Sequence, residues 1–341
     1  MTVRRGARCR QALLGSCLGV ALVLSGCSGE SGKADRDNRS ELRARTQPLT
    51  GLVVGQGIAA RRHPVLVVKL DNTDRSRPQH GLSSADLVVE ELVEGGVTRL
   101  AAFYYSSIPE VVGPVRSMRA SDLGIVEPVG ATMVTSGAAR QTITRLADAG
   151  VPFVTEGSAG FFREASRAAP YNLMTDLGDV AAALTIRGEA AVRPDDYLPF
   201  GPASTLPEGK PAGSFAARFS EAHTTSWVHR DGTYVDPGSL AATGDEFGAD
   251  SVLVLRVEIG DAGYLDPAGN TVPETELVGR GEAQLFHGGR VVAGEWSKSA
   301  LDAPLVLTRE TPQGRMVPLP VPPGRTWIEL VPLRGSVQIS P

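Results

Sequence analysis

Glu90, Glu94 and Arg99 flank a Gly95-Gly96 pair, and two carboxylates around a guanidinium can either lock a fold or handle a charged ligand. A two-residue glycine turn predicts a hairpin in which Glu94 faces Val97, Leu92 faces Arg99 and Glu90 faces Ala101. Side chains directly opposite one another share a face, as do residues two apart along a strand. This register sends Glu90, Glu94 and Arg99 to one face and Glu91 to the other. Leu92, Ala101 and Phe103 share the first face, so the charges are expected to be partly buried and to need partners. A cross-strand salt-bridge network is the commoner outcome of such a trio; a polar site is the alternative.

A second cluster, Gly113-Pro114-Val115-Arg116-Ser117-Met118-Arg119, runs into Ala120-Ser121-Asp122. Ser121 is a suitable helix N-cap, which would set Arg116, Ser117 and Arg119 beside free backbone N–H groups. Fork-shaped donors at the positive end of a helix suit an anion. The same arginines could instead pair with Glu90, Glu94 or Asp86. A third polar stretch, residues 161–172, carries Arg163, Arg167 and Asn172 in a predicted loop. His63, His80, His223, His229 and His287 are scattered without metal-ligand spacing, so neither a metal nor a cofactor is expected. Ser136-Gly137 follows a strand and precedes a helix, but no histidine stands out as its base. No catalytic residue can be assigned from these patterns.

The elements that must carry these residues follow from periodicity. Val65–Leu70, Asp86–Glu94, Val97–Ser106, Ala131–Thr135 and Val151–Thr155 read as strands. Ala138–Ala149, stopped by Gly150, and Asp176–Ile186 read as helices. Alternating strands and helices predict an α/β domain over residues 49–198. Residues 199–214 hold four prolines and three glycines and read as a linker. Beyond it, residues 215–341 show short strand patterns separated by Gly, Pro and Asp, which predicts a smaller β-rich domain.

The N-terminus sets the location. Arg4, Arg5, Arg8 and Arg10 precede an uncharged apolar run from Gln11 to Leu24, and Leu24-Ser25-Gly26-Cys27 closes it. That order is a bacterial secretory signal with a lipobox, residues 1–26, whose Cys27 thiol receives a diacylglycerol and whose freed amine is acylated in turn. The apolar run is shorter than the roughly 20 residues a membrane span needs. Residues 27–48 are polar and read as a flexible tether. Removing residues 1–26 takes away four arginines and no acidic residue, which moves the formal charge from −4 to −8. An acidic ectodomain argues against nucleic acid as a partner. The expected location is therefore the outer face of the cell membrane, reached through the lipid anchor. The three cysteines stand at positions 9, 17 and 27, so the expected mature fold has no disulfide.

Residues 70–100 (LDNTDRSRPQHGLSSADLVVEELVEGGVTRL), 112–119 (VGPVRSMR) and 167–173 (RAAPYNL) resemble the YerB-like lipoproteins, a family of unknown function. Residues 277–298 and 322–332 are similar to that family's second domain. The resemblance implies an α/β N-terminal domain with a smaller β-rich C-terminal domain on a lipid anchor. It also marks Asn72, Arg77, Gln79, Glu90, Glu94, Arg99, Arg116, Ser117, Arg119 and Asn172 in this sequence. Tyr171 and Ser136-Gly137-Ala138 depart from the pattern, which carries histidine in both places. The leading expectation is a non-catalytic module that binds an anionic envelope polymer or an envelope protein through Arg116, Ser117, Arg119, Arg99 and Asn172, with Glu90 and Glu94 orienting the arginines. The alternative is an enzyme acting on a cell-wall polymer, with Glu90 or Glu94 as general acid/base and Arg116 and Arg119 holding the substrate.

Overall fold

Runs of apolar and β-branched residues build one large sheet with smaller ones beside it, described from a computed structural model covering residues 43–55, 60–185, 191–266 and 269–341. Cys27 lies outside the described residues. The first half of the chain gives β1 (Leu66–Asn72), β2 (Leu87–Leu92), β3 (Thr98–Tyr104), β4 (Thr132–Val134) and β5 (Phe153–Val154), plus the small ribbon β6 (Phe161–Arg163) with β7 (Leu173–Thr175). The second half gives β8 (Lys210–Pro211), β9 (Ser214–Arg218), β10 (Thr224–Arg230), β11 (Thr233–Val235), β12 (Ser251–Val257), β13 (Ile259–Leu265) and β14 (Thr271–Thr275). It continues through β15 (Gly279–His287), β16 (Arg290–Lys298), β17 (Val306–Glu310), β18 (Met316–Pro318), β19 (Thr326–Pro332) and β20 (Ser336–Ser340).

The main sheet has the order β18-β17-β16-β15-β12-β19-β2-β3-β1-β4-β5, with β8 beside β16. Strand β19, almost at the C-terminus, inserts parallel between β12 and β2 and joins the two halves of the chain in one ladder. A second sheet, β11-β10-β9-β20, stands apart from the first in hydrogen bonding. Its Phe215 and Trp227 belong to the same apolar cluster as Val88, Leu100 and Trp327 of the main sheet. The opposite face of the main sheet buries Val89, Ala101, Phe103, Leu253 and Ile328.

The expected α/β N-terminal domain is overturned. Most of the expected strands and helices form, yet the architecture is a largely antiparallel, mixed β-sheet. The helices α1 (Asp122–Val126), α2 (Arg140–Asp148) and α3 (Leu177–Ala183) have only 5, 9 and 7 residues. Parallel βαβ units need crossovers long enough to cover a sheet face. Here β1 and β2 both pair antiparallel with β3, and the second sheet covers much of one face instead. Helix α2 stops at Gly150, which adopts φ +74°, and Asp176 caps α3 by accepting from the Asp179 N–H at 3.1 Å. Those two ends follow the sequence signals closely.

Candidate functional site

The hairpin of β2 and β3 turns through three residues, Glu94-Gly95-Gly96, and is closed by Val93 N–H donating to Val97 O at 2.8 Å. Both glycines take positive φ, 75° and 74°, which a side chain would resist. The extra turn residue shifts the expected register by one: Glu91 faces Arg99, Glu90 faces Leu100 and Leu92 faces Thr98. A one-residue shift moves every side chain of one strand to the other face. Arg99 therefore shares its face with Glu91, and Glu90 lies on the reverse.

On the Arg99 face, Lys69 of β1 is fully buried against Glu91 and lies 2.7 Å from Asp122. Burial raises Glu91 above its ordinary pKa despite the Lys69 charge, with Asp122 adding to the rise. Arg119 grips Glu94 with two donors, Nε to Oε2 at 2.8 Å and Nη2 to Oε1. Arg99 reaches the same carboxylate at 3.3 Å and donates to Ser117 O at 2.7 Å. Burial would raise the Glu94 pKa, but the Arg119 bonds and the charges of Arg119 and Arg99 hold it below the ordinary value. Arg99 itself is lowered to about 10, chiefly by burial and next by the neighbouring Arg119 charge.

Arg116 projects further outward. Its buried Nε is 2.9 Å from Asp71 Oδ2 as an ion pair without hydrogen-bond geometry, Nη1 reaches Pro170 O at 3.4 Å, and Nη2 makes no hydrogen bond among the described residues. The Tyr171 ring lies 5.2 Å from the Arg116 guanidinium carbon and 5.9 Å from that of Arg75. Arg75 makes no ion pair among the described residues. The Ser117 and Ser136 hydroxyls are 3.1 Å apart. Asn172 Oδ1 accepts from Arg163 at 2.6 Å. Ser121 does not cap α1; its hydroxyl accepts from Thr275 N–H at 2.9 Å, while Asp122 accepts from Arg119 N–H at 2.6 Å. A five-residue helix in that position offers no anion site of its own.

On the reverse face, Glu90 is wholly buried within a ring of donors. Asn72 Nδ2 at 3.0 Å, Thr98 at 2.7 Å, His223 Nε2 at 2.7 Å and Thr225 at 3.0 Å all reach it. Its cross-strand neighbour is Glu329 of β19, which is also wholly buried and accepts from Trp227 Nε1 at 2.6 Å. Two carboxyls cannot both ionise in such a place. Burial would raise Glu90, but the bond and charge of His223, helped by Thr98 and Glu329, bring it below the ordinary value. Glu329 goes the other way, raised well above it by burial and by the Glu90 charge. Glu329 Oε2 has no partner as a carboxylate; protonated, it donates to Glu90. Gln79 is buried, donating to Asp71 O at 2.6 Å and lying 3.3 Å from Asn72 Oδ1, while Arg77 donates across the chain to Ser239 O at 2.9 Å.

The chain matches two family profiles, "Protein of unknown function (DUF3048) N-terminal domain" over residues 49–190 and "Protein of unknown function (DUF3048) C-terminal domain" over residues 215–328. It belongs to the DUF3048 family. A relative from Bacillus subtilis (strain 168), named "Putative lipoprotein YerB", is 29% identical over 323 residues, spanning 89% of this chain and 90% of that protein. A crystal structure of the YerB protein from Bacillus subtilis aligns with TM-score 0.68 at 24% identity, covering 86% of this chain and 99% of that one. The two chains share their fold.

Within this DUF3048 chain, the ten residues singled out from sequence fall into separate groups. Arg99, Arg119 and Glu94 form one ion cluster, with Ser117 O bonded to both arginines. Arg116 leads from it to Tyr171, beside Asn172. Asn72, Glu90 and Gln79 belong to the reverse face, and Arg77 bonds in its vicinity. Glu90 and Glu94 share no hydrogen-bonding partner. Two participants were not foreseen: His223 and Glu329. Glu329 did leave a trace, as a lone acid in the apolar run Thr326–Pro332. His223 left none, because its partners come from strands remote in sequence.

Proposed function

We propose that this chain is a lipid-anchored, extracytoplasmic binding protein that takes an anionic envelope polymer at the surface formed by Arg75, Arg116 and Tyr171. One observation supports the reading: two guanidiniums share one aromatic ring, and among the described residues Arg75 has no ion pair and Arg116 Nη2 no hydrogen bond. A guanidinium with free donors meets phosphate or carboxylate oxygens in a fork. The Arg99–Arg119–Glu94 cluster behind them is sealed by its own bonds and supports the surface. Three arginines gather there around Glu94 and Asp71, leaving a positive excess on an otherwise acidic chain. Catalysis by Glu90 and Glu94 together gains no support, since their partners differ and Glu94 is clamped by Arg119.

Binding is tested with polyphosphate and polygalacturonate as phosphate and carboxylate polyanions, with dextran as neutral control. Arg75→Ala and Arg116→Ala should each weaken polyanion binding several-fold, and added salt should weaken it further. Wild-type affinity in both variants, or equal binding of dextran, defeats the reading. Anchoring rests on the lipobox at Cys27 and on the lipoprotein name of the Bacillus relative. Cys27→Ala should move the protein out of the acylated membrane fraction. Loss of acylation in Cys17→Ala instead would show that the other cysteine is the anchor.

A further inference from the structure

A cleft of about 660 Å³ opens beside β10, with His223, Asp236, Asp74, Thr73, Thr224 and Ser226 among its walls and neither lysine nor arginine lining it. His223 joins this cleft to the buried carboxyl pair. Its Nε2 is fixed on Glu90 at 2.7 Å, and its ring meets Phe219 edge-on at 5.9 Å between centroids. Every hydrogen bond of this ring among the described residues is made by Nε2, none by Nδ1. The polar groups deeper in the wall are already committed: the Asn72 amide to Glu90 and Thr98, Thr225 to Glu90, and the Thr73 hydroxyl to Asp71. What remains for a ligand is the imidazole Nδ1, two exposed hydroxyls and the carboxylates of Asp74 and Asp236.

We propose that this cleft is a second ligand site, selective for a hydroxylated molecule bearing an ammonium group, such as an amino sugar with a free amine. The ammonium pairs with Asp236, and a neighbouring hydroxyl bonds to His223 Nδ1. A hydroxyl fits that nitrogen in either protonation state, because it can donate to a bare Nδ1 or accept from Nδ1–H. The ammonium follows from the charges. Asp236 is pushed up to about 6, first by burial and also by the Glu90 charge; the Gly238 N–H bond, His223 and Arg77 only partly offset this. A carboxylate so poorly compensated gains most from a cation brought by a ligand. The charged groups that act on the site are His223, Glu90, Asp74 and Asp236, with Arg77 acting from outside the lining, a net negative set.

The test uses the full chain in detergent micelles, with histidine side chains isotopically labelled and His223 assigned through His223→Gln. Glucosamine should shift the His223 ring signals saturably. N-acetylglucosamine, which keeps the hydroxyls and loses the charge, should bind at least about tenfold more weakly, as should glucosamine to Asp236→Asn, a loss of about 1.4 kcal/mol. Asp74→Asn serves as a second variant if Asp236→Asn does not fold. No saturable shift with glucosamine, equal affinity for the two sugars, or full affinity in the folded aspartate variants would each overturn the proposal. None of these outcomes bears on polyanion binding at Arg75 and Arg116.

Discussion

Glu90 and Glu91 are adjacent in β2, wholly buried, and opposite in their electrostatics. Glu91 points to a face rich in cations, where Lys69, Arg99, Arg116 and Arg119 gather. Glu90 points to a face of neutral donors, one histidine and a second carboxyl. Cation density nevertheless does not decide which acid is the stronger. Glu91 is raised although Lys69 touches it, because burial dominates and Asp122 competes for the same ammonium. Burial would raise Glu90 as well, but the His223 bond and charge, helped by bonds from Thr98 and from a Glu329 that keeps its own proton, bring it down. What separates the two is the balance at each site: one histidine that both bonds and charges outweighs burial at Glu90, whereas at Glu91 a lysine shared with Asp122 does not.

The largest effect is expected on the cationic face. Arg119→Ala would leave Glu94 without its bidentate partner and expose the Arg99 cluster to imbalance. Breaking a buried ion pair by removing one member costs about 3–5 kcal/mol. Urea unfolding of Arg119→Ala should therefore show a marked fall in midpoint. Arg116→Ala should lose less, because Arg116 is about 20% exposed, makes a single contact to Asp71, and leaves that carboxylate the Thr73 N–H and hydroxyl as donors. Equal, strong destabilisation by both would make Arg116 a structural residue and merge it with the sealed cluster.

Much of this arrangement was legible in the sequence as a list of participants, and much less as a geometry. The strands were readable from β-branched runs, and the acids and arginines of the hairpin were singled out. Their faces were not readable, because one additional turn residue reversed them. The Gly95-Gly96 pair fits a two-residue turn equally well, and only the Val93–Val97 bond shows that Glu94 belongs to the turn. The α/β expectation failed for a related reason. Periodicity reported local helices and strands, whereas the partners of β2 are set by β19, more than two hundred residues away in sequence. The same remoteness hid His223 and Glu329 from any spacing argument.

The smaller effect belongs to the reverse face and tests whether Glu329 is the proton-bearing member of the pair. Its pKa is raised, so the folded protein holds a proton that the unfolded chain releases above its ordinary value of 4.5. Stability from this group is therefore fully present below that value and is lost as pH rises toward the folded pKa. Glu90 has the opposite sign: its pKa is lowered, so its contribution is present above its ordinary value of 4.5 and is lost as pH falls through the folded pKa. His223 is raised from 6.5, so its share is present below that value and fades as pH rises through the folded pKa. Glu329→Gln keeps an amide donor for Glu90 and removes the proton. Between about pH 5 and 6, where the His223 share is still fully present and adds little slope, the variant should show a flatter stability profile than the wild type. One fully linked proton corresponds to about 1.4 kcal/mol per pH unit. At pH 7 the variant should be at least as stable as the parent, since it no longer pays to keep a carboxyl neutral. An unchanged slope would mean that Glu329 does not hold the shared proton, and the contrast between the two faces would then rest on Glu90 alone.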